Sequence, residues 1–359
     1  MDLLQEARNI INQVDTQMAD LFVQRMQAAQ MVAQYKKAHG MPILDAEREE
    51  AVLRNGSTRV EDETLREYYI DFMRDTMSVS RRYQQRLLEG MKIAYSGTEG
   101  AFAYMAADKL FHDAQKVAFS DFKAAYDAVV SGQCDAAVLP LENSYAGEVG
   151  QVTDLMFSGP LYVNHILSLS ITHDLLAVEG ATAETVKTVV SHPQALSQCD
   201  GFIRAYGYSQ LPYANTALAA KYVAELNDPT VAAIASAESG EKFGLKVLAE
   251  GINRSQVNTT RFAVLSRSEN RNVGKQHGAH FILVFTVRNE AGSLAQALNI
   301  IGSHGFNMRT LRSRPMQELL WQYYFYVEAE GNIQSTDGQN MLKELAQCCD
   351  KIKCVGSFT

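Results

Sequence analysis

Across 359 residues the chain has only seven prolines, five cysteines and one tryptophan. It also lacks any apolar run near the ~20 residues that a membrane-spanning helix takes; its hydrophobic stretches are short, such as Phe281-Ile-Leu-Val-Phe285. The N-terminus, Met1-Asp-Leu-Leu-Gln-Glu6, has neither the basic start nor the apolar block of a secretory signal. The cysteines (Cys134, Cys199, Cys348, Cys349 and Cys354) are odd in number and form no Cys-x-x-Cys pair. A reducing cytoplasm is therefore expected, rather than a disulfide framework or a zinc site. Positive charge is not in excess either, and a net charge of −8 argues against a nucleic-acid binder. What is present is an ordinary folded balance, 47% hydrophobic and 21% charged, enough for cores in two or three domains.

Charge and pattern divide the chain near residues 90 and 270. Residues 1–90 carry twelve basic and fifteen acidic side chains, residues 91–267 twelve and eighteen, and residues 268–359 nine and eight. The first segment holds one proline, Pro42, and a helical periodicity. The middle alternates strand-like and helix-like stretches, as α/β domains do. The last reads strand, helix, strand, strand, helix, strand, after a polar junction from Ser266 to Gly278.

Between Leu3 and Lys37 there is neither proline nor glycine, and Leu4, Ala7, Ile11, Val14, Met18, Leu21, Ala28 and Val32 recur at alternating spacings of three and four. One helix of about 35 residues, roughly 50 Å long, is expected. The stripe is broken by Arg25 and Lys36, eleven residues or about three turns apart, so both face the same buried side. Long basic side chains can snorkel from the edge of such a stripe. Two of them on one buried face call for an anionic partner, either a bound dianion or an acid from another helix. Asp45-Ala-Glu-Arg-Glu49 opens a second helix, and a third spans about Asp62 to Leu88. Two short partners cannot cover so long a first helix, which suggests an intertwined homodimer. Arg8 lies ~25 Å along the axis from Arg25, so it is either a surface residue or a donor to a partner's pocket.

These residues resemble the all-helical chorismate mutase family, with Arg-x16-Arg-x10-Lys in the first helix, Asp-x-x-Arg-Glu in the second and a late Gln in the third. The resemblance implies a site of Arg8 from the other subunit with Arg25, Lys36, Asp45, Arg48, Glu49, Ser80 and Gln84. Gln84 is preferred to Gln85 because Met77-Ser-Val-Ser80-Arg-Arg-Tyr-Gln84 keeps the family's Ser-to-Gln spacing. The implied reaction is a pericyclic shift of chorismate to prephenate. It needs the reactive conformer held and the developing charge on the ether oxygen stabilised. Arginines suit the two carboxylates. Lys36 and Gln84 would donate to the ether oxygen, and Glu49 would hold the ring hydroxyl.

In the middle segment, Lys92-Ile-Ala-Tyr-Ser-Gly97 reads as a strand ending in a glycine turn, but Gly97-x-x-Gly100 is no complete nucleotide fingerprint. Cys134–Asn143, Thr188–Gln194 and Val231–Ala237 each read as a buried strand ending in polar residues, where open α/β sheets place ligands. Asn258-Thr-Thr-Arg-Phe262 enters a last strand. Singly, each has a structural explanation as a turn or strand end. In this order they resemble prephenate dehydratase, which implies two α/β lobes like a periplasmic binding protein with the ligand between them. Thr260 then stands as the hydroxyl that assists departure of hydroxide while the ring aromatises, because only Thr260 keeps register with Arg261-Phe262. Asn143, Ser144, Ser191, Gln194, Ser197, Arg261 and Phe262 are the implied substrate binders, with Glu142 orienting its neighbours. Ala101, Ala103 and Tyr104 depart from the family's common residues.

The C-terminal order βαββαβ implies a ferredoxin-like domain. Gly292-Ser-Leu-Ala295, Gly305-Phe-Asn-Met308 and Arg312-Ser-Arg-Pro315 resemble an ACT domain, an amino-acid-sensing module. The resemblance implies phenylalanine as effector, held through Gly292, Ser293, Leu294, Asn307, Met308, Ser313 and Arg314. Arg312 stands where the family has an acidic residue. The single tryptophan, Trp321, follows this motif and would report effector binding.

The expected organisation is a multidomain chain: residues 1–90 an all-α intertwined mutase domain, 91–267 an α/β dehydratase domain and 278–359 an α+β ACT domain. The expected substrates are chorismate and prephenate, without metal or organic cofactor, nucleic acid or membrane partner. Two alternatives are a dehydratase whose helical segment only dimerises, and a non-enzymatic ligand sensor. Whether the dehydratase prefers prephenate or its amino form, arogenate, stays open.

Overall fold

A computed structural model describes residues 2–253, 258–272, 278–316 and 322–359. The chain divides into two compact units, Met1–Met91 and Lys92–Thr359.

The first unit is three helices: α1 (Leu3–Ala38), α2 (Ala46–Ser57) and α3 (Glu63–Glu89). Each begins at an aspartate, Asp2, Asp45 or Asp62, whose carboxylate accepts a backbone N–H of the first turn. Such caps satisfy amides that the helix itself leaves free. Met26, Ala29, Ala33 and Lys36 of α1 and Met77, Ser80 and Gln84 of α3 are buried. The apolar stripe expected to be covered is open along much of α1 within one chain, with Leu4, Ile11 and Leu21 each more than half exposed. The reason is length: the 12-residue α2 and 27-residue α3 cannot sheath 36 residues of α1.

The second unit starts with a lobe of β1 (Lys92–Ser96), α4 (Phe102–Leu110), β2 (Gln115–Phe119), α5 (Phe122–Val130), β3 (Ala136–Asn143), β4 (Gly147–Glu148), α6 (Gly150–Ser158) and β5 (Tyr162–Ser170). The chain crosses to a second lobe of β6 (Asp174–Ala177), β7 (Thr188–Ser191), α7 (Pro193–Gln198), α8 (Asp200–Tyr206), β8 (Ser209–Pro212), α9 (Thr216–Leu226), β9 (Val231–Ala235), α10 (Ala237–Phe243) and β10 (Lys246–Ala249). It returns to the first lobe as β11 (Thr259–Ser266), antiparallel to both β3 and β5. The second lobe has its own sheet, ordered β10-β6-β9-β7-β8. Its core strands β7 and β9 are runs of Val, Ala and Ile buried on both faces, as strands sandwiched between helices are.

The remainder runs β12 (His280–Val287), α11 (Ser293–Ser303), β13 (Asn307–Pro315), β14 (Tyr323–Glu330), α12 (Thr336–Cys348) and β15 (Cys349–Phe358). Its strands order as β13-β14-β12-β15, and β15 continues through β5 into the first lobe's sheet. One residue pair makes that junction, Gly356 beside Val163. A Cβ at position 356 would collide with the Val163 backbone, and the positive φ of Gly356 adds a second demand for glycine. This shared sheet is why residues 92–359 cluster as one unit rather than as separate middle and C-terminal domains. Trp321 lies outside the described residues. Among the described residues no helix is long and apolar enough to cross a membrane.

Candidate active sites

In the helical unit, Arg25, Lys36, Asp45, Arg48, Glu49, Ser80 and Gln84 all line one cavity of about 310 Å³. Their convergence follows from helix geometry: Arg25 and Lys36 are three turns apart on α1, and Ser80 and Gln84 one turn apart on α3. Arg25 donates to the Ser80 hydroxyl and to the Thr76 carbonyl, and burial lowers its pKa from the ordinary arginine value. The Lys36 ammonium is buried and donates to the Ile43 carbonyl. Asp45 combines its place in the cavity with the α2 cap, accepting the Arg48 N–H at 3.0 Å. The buried Gln84 side chain leaves its Oε1 without a protein partner. Sequence reasoning missed Arg81, which also lines the cavity and binds both oxygens of the Glu49 carboxylate. Arg8 is exposed on α1 and is not among the cavity's lining residues.

Between the two lobes of the second unit lies a cleft of about 590 Å³, lined from both sides. Asn143, Gln194, Thr260 and Phe262 line it, together with residues the sequence reading passed over, notably His173 and Gln198. Strand register builds its floor: β11 sets Thr260 opposite Asn143, and Arg261 opposite Glu142. Successive side chains of a strand point to opposite faces. Thr260 and Phe262 therefore face the cleft while Arg261 faces away.

Four other expected binders lie outside this cleft's lining. Arg261 points out of the cleft, where its guanidinium binds Glu142 at 2.7 Å and Glu328 at 2.9 and 3.0 Å. Ser191 is fully buried, donating to the Ile234 carbonyl at 2.5 Å, because its strand is covered on both sides. Ser197 lines a different pocket, with Tyr145 and Arg204. Ser144 is exposed outside the cleft lining, its hydroxyl accepting the Thr259 N–H at 3.0 Å.

Hydrogen bonds give the cleft a fixed polarity. Asn143 Oδ1 accepts the backbone N–H groups of Tyr145 and Ala146, at 3.0 and 2.9 Å. Its amide nitrogen must then face inward, donating to Thr260 Oγ1 at 2.9 Å and Asn258 Oδ1 at 2.8 Å. Thr260 thereby accepts from Asn143, so its own hydroxyl proton remains for a ligand. Asn258 in turn donates to Gln198 Oε1 at 3.0 Å, and the same oxygen is 2.9 Å from His173 Nε2. An amide oxygen flanked so accepts from both, which puts a proton on His173 Nε2.

Carboxylates of the first lobe meet arginines of the C-terminal sheet. Arg312 binds Glu142, and Arg314 binds Asp154 at 2.8 Å and Glu148 at 2.6 Å. Burial disfavours ionisation of Glu142 and Asp154, but the arginine hydrogen bonds outweigh it and hold both carboxyls below their ordinary range. Ser313 and Arg314, both expected as effector ligands, are placed differently. They alternate on β13, so Ser313 is exposed on one side while Arg314 is committed to the first lobe on the other. Of the remaining effector candidates, Gly292 and Ser293 open α11, Leu294 and Met308 pack against the C-terminal core, and exposed Asn307 donates to Glu330 at 2.9 Å. Among the described residues no group of His, Cys, Asp and Glu could hold a metal ion.

Comparison with known proteins bears on both sites. Residues 7–85 match the family model for chorismate mutase type II, and residues 93–270 that for prephenate dehydratase. The bifunctional chorismate mutase/prephenate dehydratase of Enterobacter agglomerans is 32% identical, over 98% of this chain and 94% of its own length. Among solved structures, the prephenate dehydratase of Arthrobacter aurescens in complex with L-Phe has a TM-score of 0.69 at 26% identity, covering 75% of this chain and 89% of that one. A structure described as a novel type of quorum quenching acylase, GqqA, has a TM-score of 0.68 at 28% identity, covering 74% and 97%.

Proposed function

This chain belongs to the bifunctional chorismate mutase/prephenate dehydratase family and is an enzyme of phenylalanine biosynthesis; we propose that the helical pocket carries the mutase step and the interlobe cleft the dehydratase step. The observation that carries the assignment is the contrast in lining. Arg25, Lys36, Arg48 and Arg81 surround the helical cavity, whereas amides and hydroxyls from both lobes line the cleft.

In the helical pocket, Arg25 and Arg48 hold the two carboxylates of chorismate and fold it into its reactive conformer. Lys36 and Gln84 donate to the ether oxygen as its bond to carbon breaks, where charge accumulates. Gln84 reaches that oxygen through its Nε2–H, and its Oε1 is the atom left without a protein partner. Glu49 takes the ring hydroxyl in exchange for Arg81. Ser80 and Asp45 position Arg25 and α2. The open stripe on α1 supports a homodimer in which Arg8 of one chain completes the pocket of the other.

In the cleft, prephenate loses carbon dioxide and its ring hydroxyl as the ring aromatises. Thr260, held as an acceptor by Asn143, gives its proton in a hydrogen bond to the departing oxygen. It acts as a donor to the leaving group, because a threonine hydroxyl is too weak an acid to surrender its proton outright. Phe262 offers an apolar wall to the ring, and Gln194 a polar contact from the second lobe. Residues 1–90 thus form the mutase domain, 91–267 a two-lobed, binding-protein-like dehydratase domain and 278–359 an ACT domain. Phenylalanine acts as the effector at Gly292, Ser293, Leu294, Asn307 and Met308, a reading supported by the L-Phe named in the Arthrobacter aurescens structure.

The test is to supply prephenate to Thr260→Ala and Thr260→Ser chains. Phenylpyruvate formation should fall about 10²–10³-fold in the first and largely survive in the second. Full activity in Thr260→Ala would remove Thr260 from the reaction.

A further inference from the structure

His173 is a residue the dehydratase mechanism above leaves unused. It sits where the chain crosses between lobes, 2% exposed, and lines the cleft. Its Nε2 is committed to Gln198, by the chain of amides anchored at the Tyr145 and Ala146 backbone. Its Nδ1 is buried and has no protein partner. Around it are the edge of Phe102, with ring centroids 5.6 Å apart, and Asn253, which accepts the His173 backbone N–H. The neighbouring Asp174 carboxylate is turned to the Gly251 N–H, at 2.7 Å. The other titratable groups of the cleft are Glu148 on β4 and His192 at the start of α7. His192 differs from His173 because its Nδ1 is already used, accepting the Gln194 N–H at 3.2 Å.

Burial lowers the pKa of His173 from its ordinary value, so in the free protein it is neutral at pH 7 and Nδ1 is a bare lone pair. Given the dehydratase reading, the ligand is a dianion, and among the described residues lining the cleft there is no lysine or arginine. A lone pair facing a carboxylate repels it, whereas a protonated Nδ1 binds it through a charge-assisted hydrogen bond. We propose that His173 is a substrate-binding residue of the cleft: it takes one proton from solvent as prephenate enters, and its Nδ1–H then holds a substrate carboxylate. Gln198 Oε1 serves both protonation states, since Nε2 donates to it in each.

The pH dependence of kcat/KM for prephenate tests this in the full-length protein. Above the histidine pKa the proton must be recruited, so kcat/KM should fall about tenfold per pH unit from pH 7 to 9. His173→Gln keeps a donor towards Gln198 but cannot titrate. It should flatten that profile at a lower plateau, with an unchanged thermal unfolding transition of the full-length protein as the sign of intact folding. His192→Gln should retain the wild-type slope. The same slope in His173→Gln, or its loss in His192→Gln, would overturn the proposal. A second measurement needs no substitution at His173. Prephenate binding to an Arg25→Ala/Thr260→Ala chain at pH 8, followed by calorimetry in buffers of different ionisation enthalpy, should take up one proton per ligand. Uptake of none would overturn the proposal. Should the wild-type protein leave prephenate unconverted at every pH, the dehydratase reading itself fails, a distinct outcome.

Discussion

On the proposed assignment, the helical pocket and the interlobe cleft solve one problem, holding a small dianion, with opposite materials. The pocket gathers four cations into about 310 Å³, balanced by Asp45 and Glu49. The cleft, nearly twice that volume, has apolar walls, and the polar side chains among its described lining residues are amides, hydroxyls, two histidines and Glu148, with no lysine or arginine. A rearrangement without proton transfer gains from fixed positive charge, because the charge to be stabilised stays on the substrate throughout. A reaction that expels hydroxide gains from a donor whose proton is aimed, and orientation is what an amide chain supplies. The two regions also differ in how they are built. The pocket comes from side chains one or three turns apart on helices, whereas the cleft depends on the register of β11 against β3.

The comparison can be broken or sharpened by substitution. Lys36→Met removes a buried cation from the pocket, and mutase kcat should drop about 10³-fold while prephenate dehydration holds, in separate assays of the two steps. Arg261→Met acts on the side of β11 facing away from the cleft. It leaves Glu142 and Glu328 without their shared cation, and should cost about 3 kcal/mol in denaturant unfolding, the low end for a buried pair because 22% of the Arg261 side chain stays exposed. KM for prephenate should stay within twofold if Arg261 is a seam residue. Acid tests the same seam without substitution. Glu142 and Asp154 have depressed carboxyl pKa values in the folded chain, so their contribution is present above the ordinary carboxylate range, about pH 4, and is lost as pH falls through the depressed values. Thermal stability followed from pH 5 to 3 should therefore fall steeply, and less steeply in Arg314→Met. Asn143→Asp replaces the donor to Thr260 with an acceptor, and dehydratase kcat should fall about 10²-fold with mutase kcat unchanged. Ser191→Ala gives the smallest effect, about 1 kcal/mol of stability from one lost hydrogen bond and an unchanged KM.

What the sequence disclosed follows the same division. Helical periodicity is local, so α1, α2 and α3 and the cations that interrupt the stripe were legible at Arg25 and Lys36. Arg81 was hidden because an arginine on a polar helix face looks like any solvated residue until Glu49 is brought beside it. In the second unit the strands and their polar ends were legible, and so were Asn143 and Thr260. The facing of Arg261 was not, since motif order says nothing of which side of β11 a residue takes. His173, Gln198 and Asn258 are joined by bonds across 25 residues, from His173 to Gln198, and 60, from Gln198 to Asn258, and no short pattern encodes such a chain. The continuation of β5 into β15 rests on a single glycine, Gly356, and read in isolation that glycine suggests only a turn.

The central claim is that one chain holds two independent sites. Its most direct test is a crossed assay of Arg25→Ala and Thr260→Ala, each given chorismate and, separately, prephenate. Arg25→Ala should form little prephenate from chorismate yet convert added prephenate at the wild-type rate. Thr260→Ala should accumulate prephenate from chorismate and release almost no phenylpyruvate. Loss of both activities in each folded variant would contradict the account, because it would make the two reactions the work of a single site.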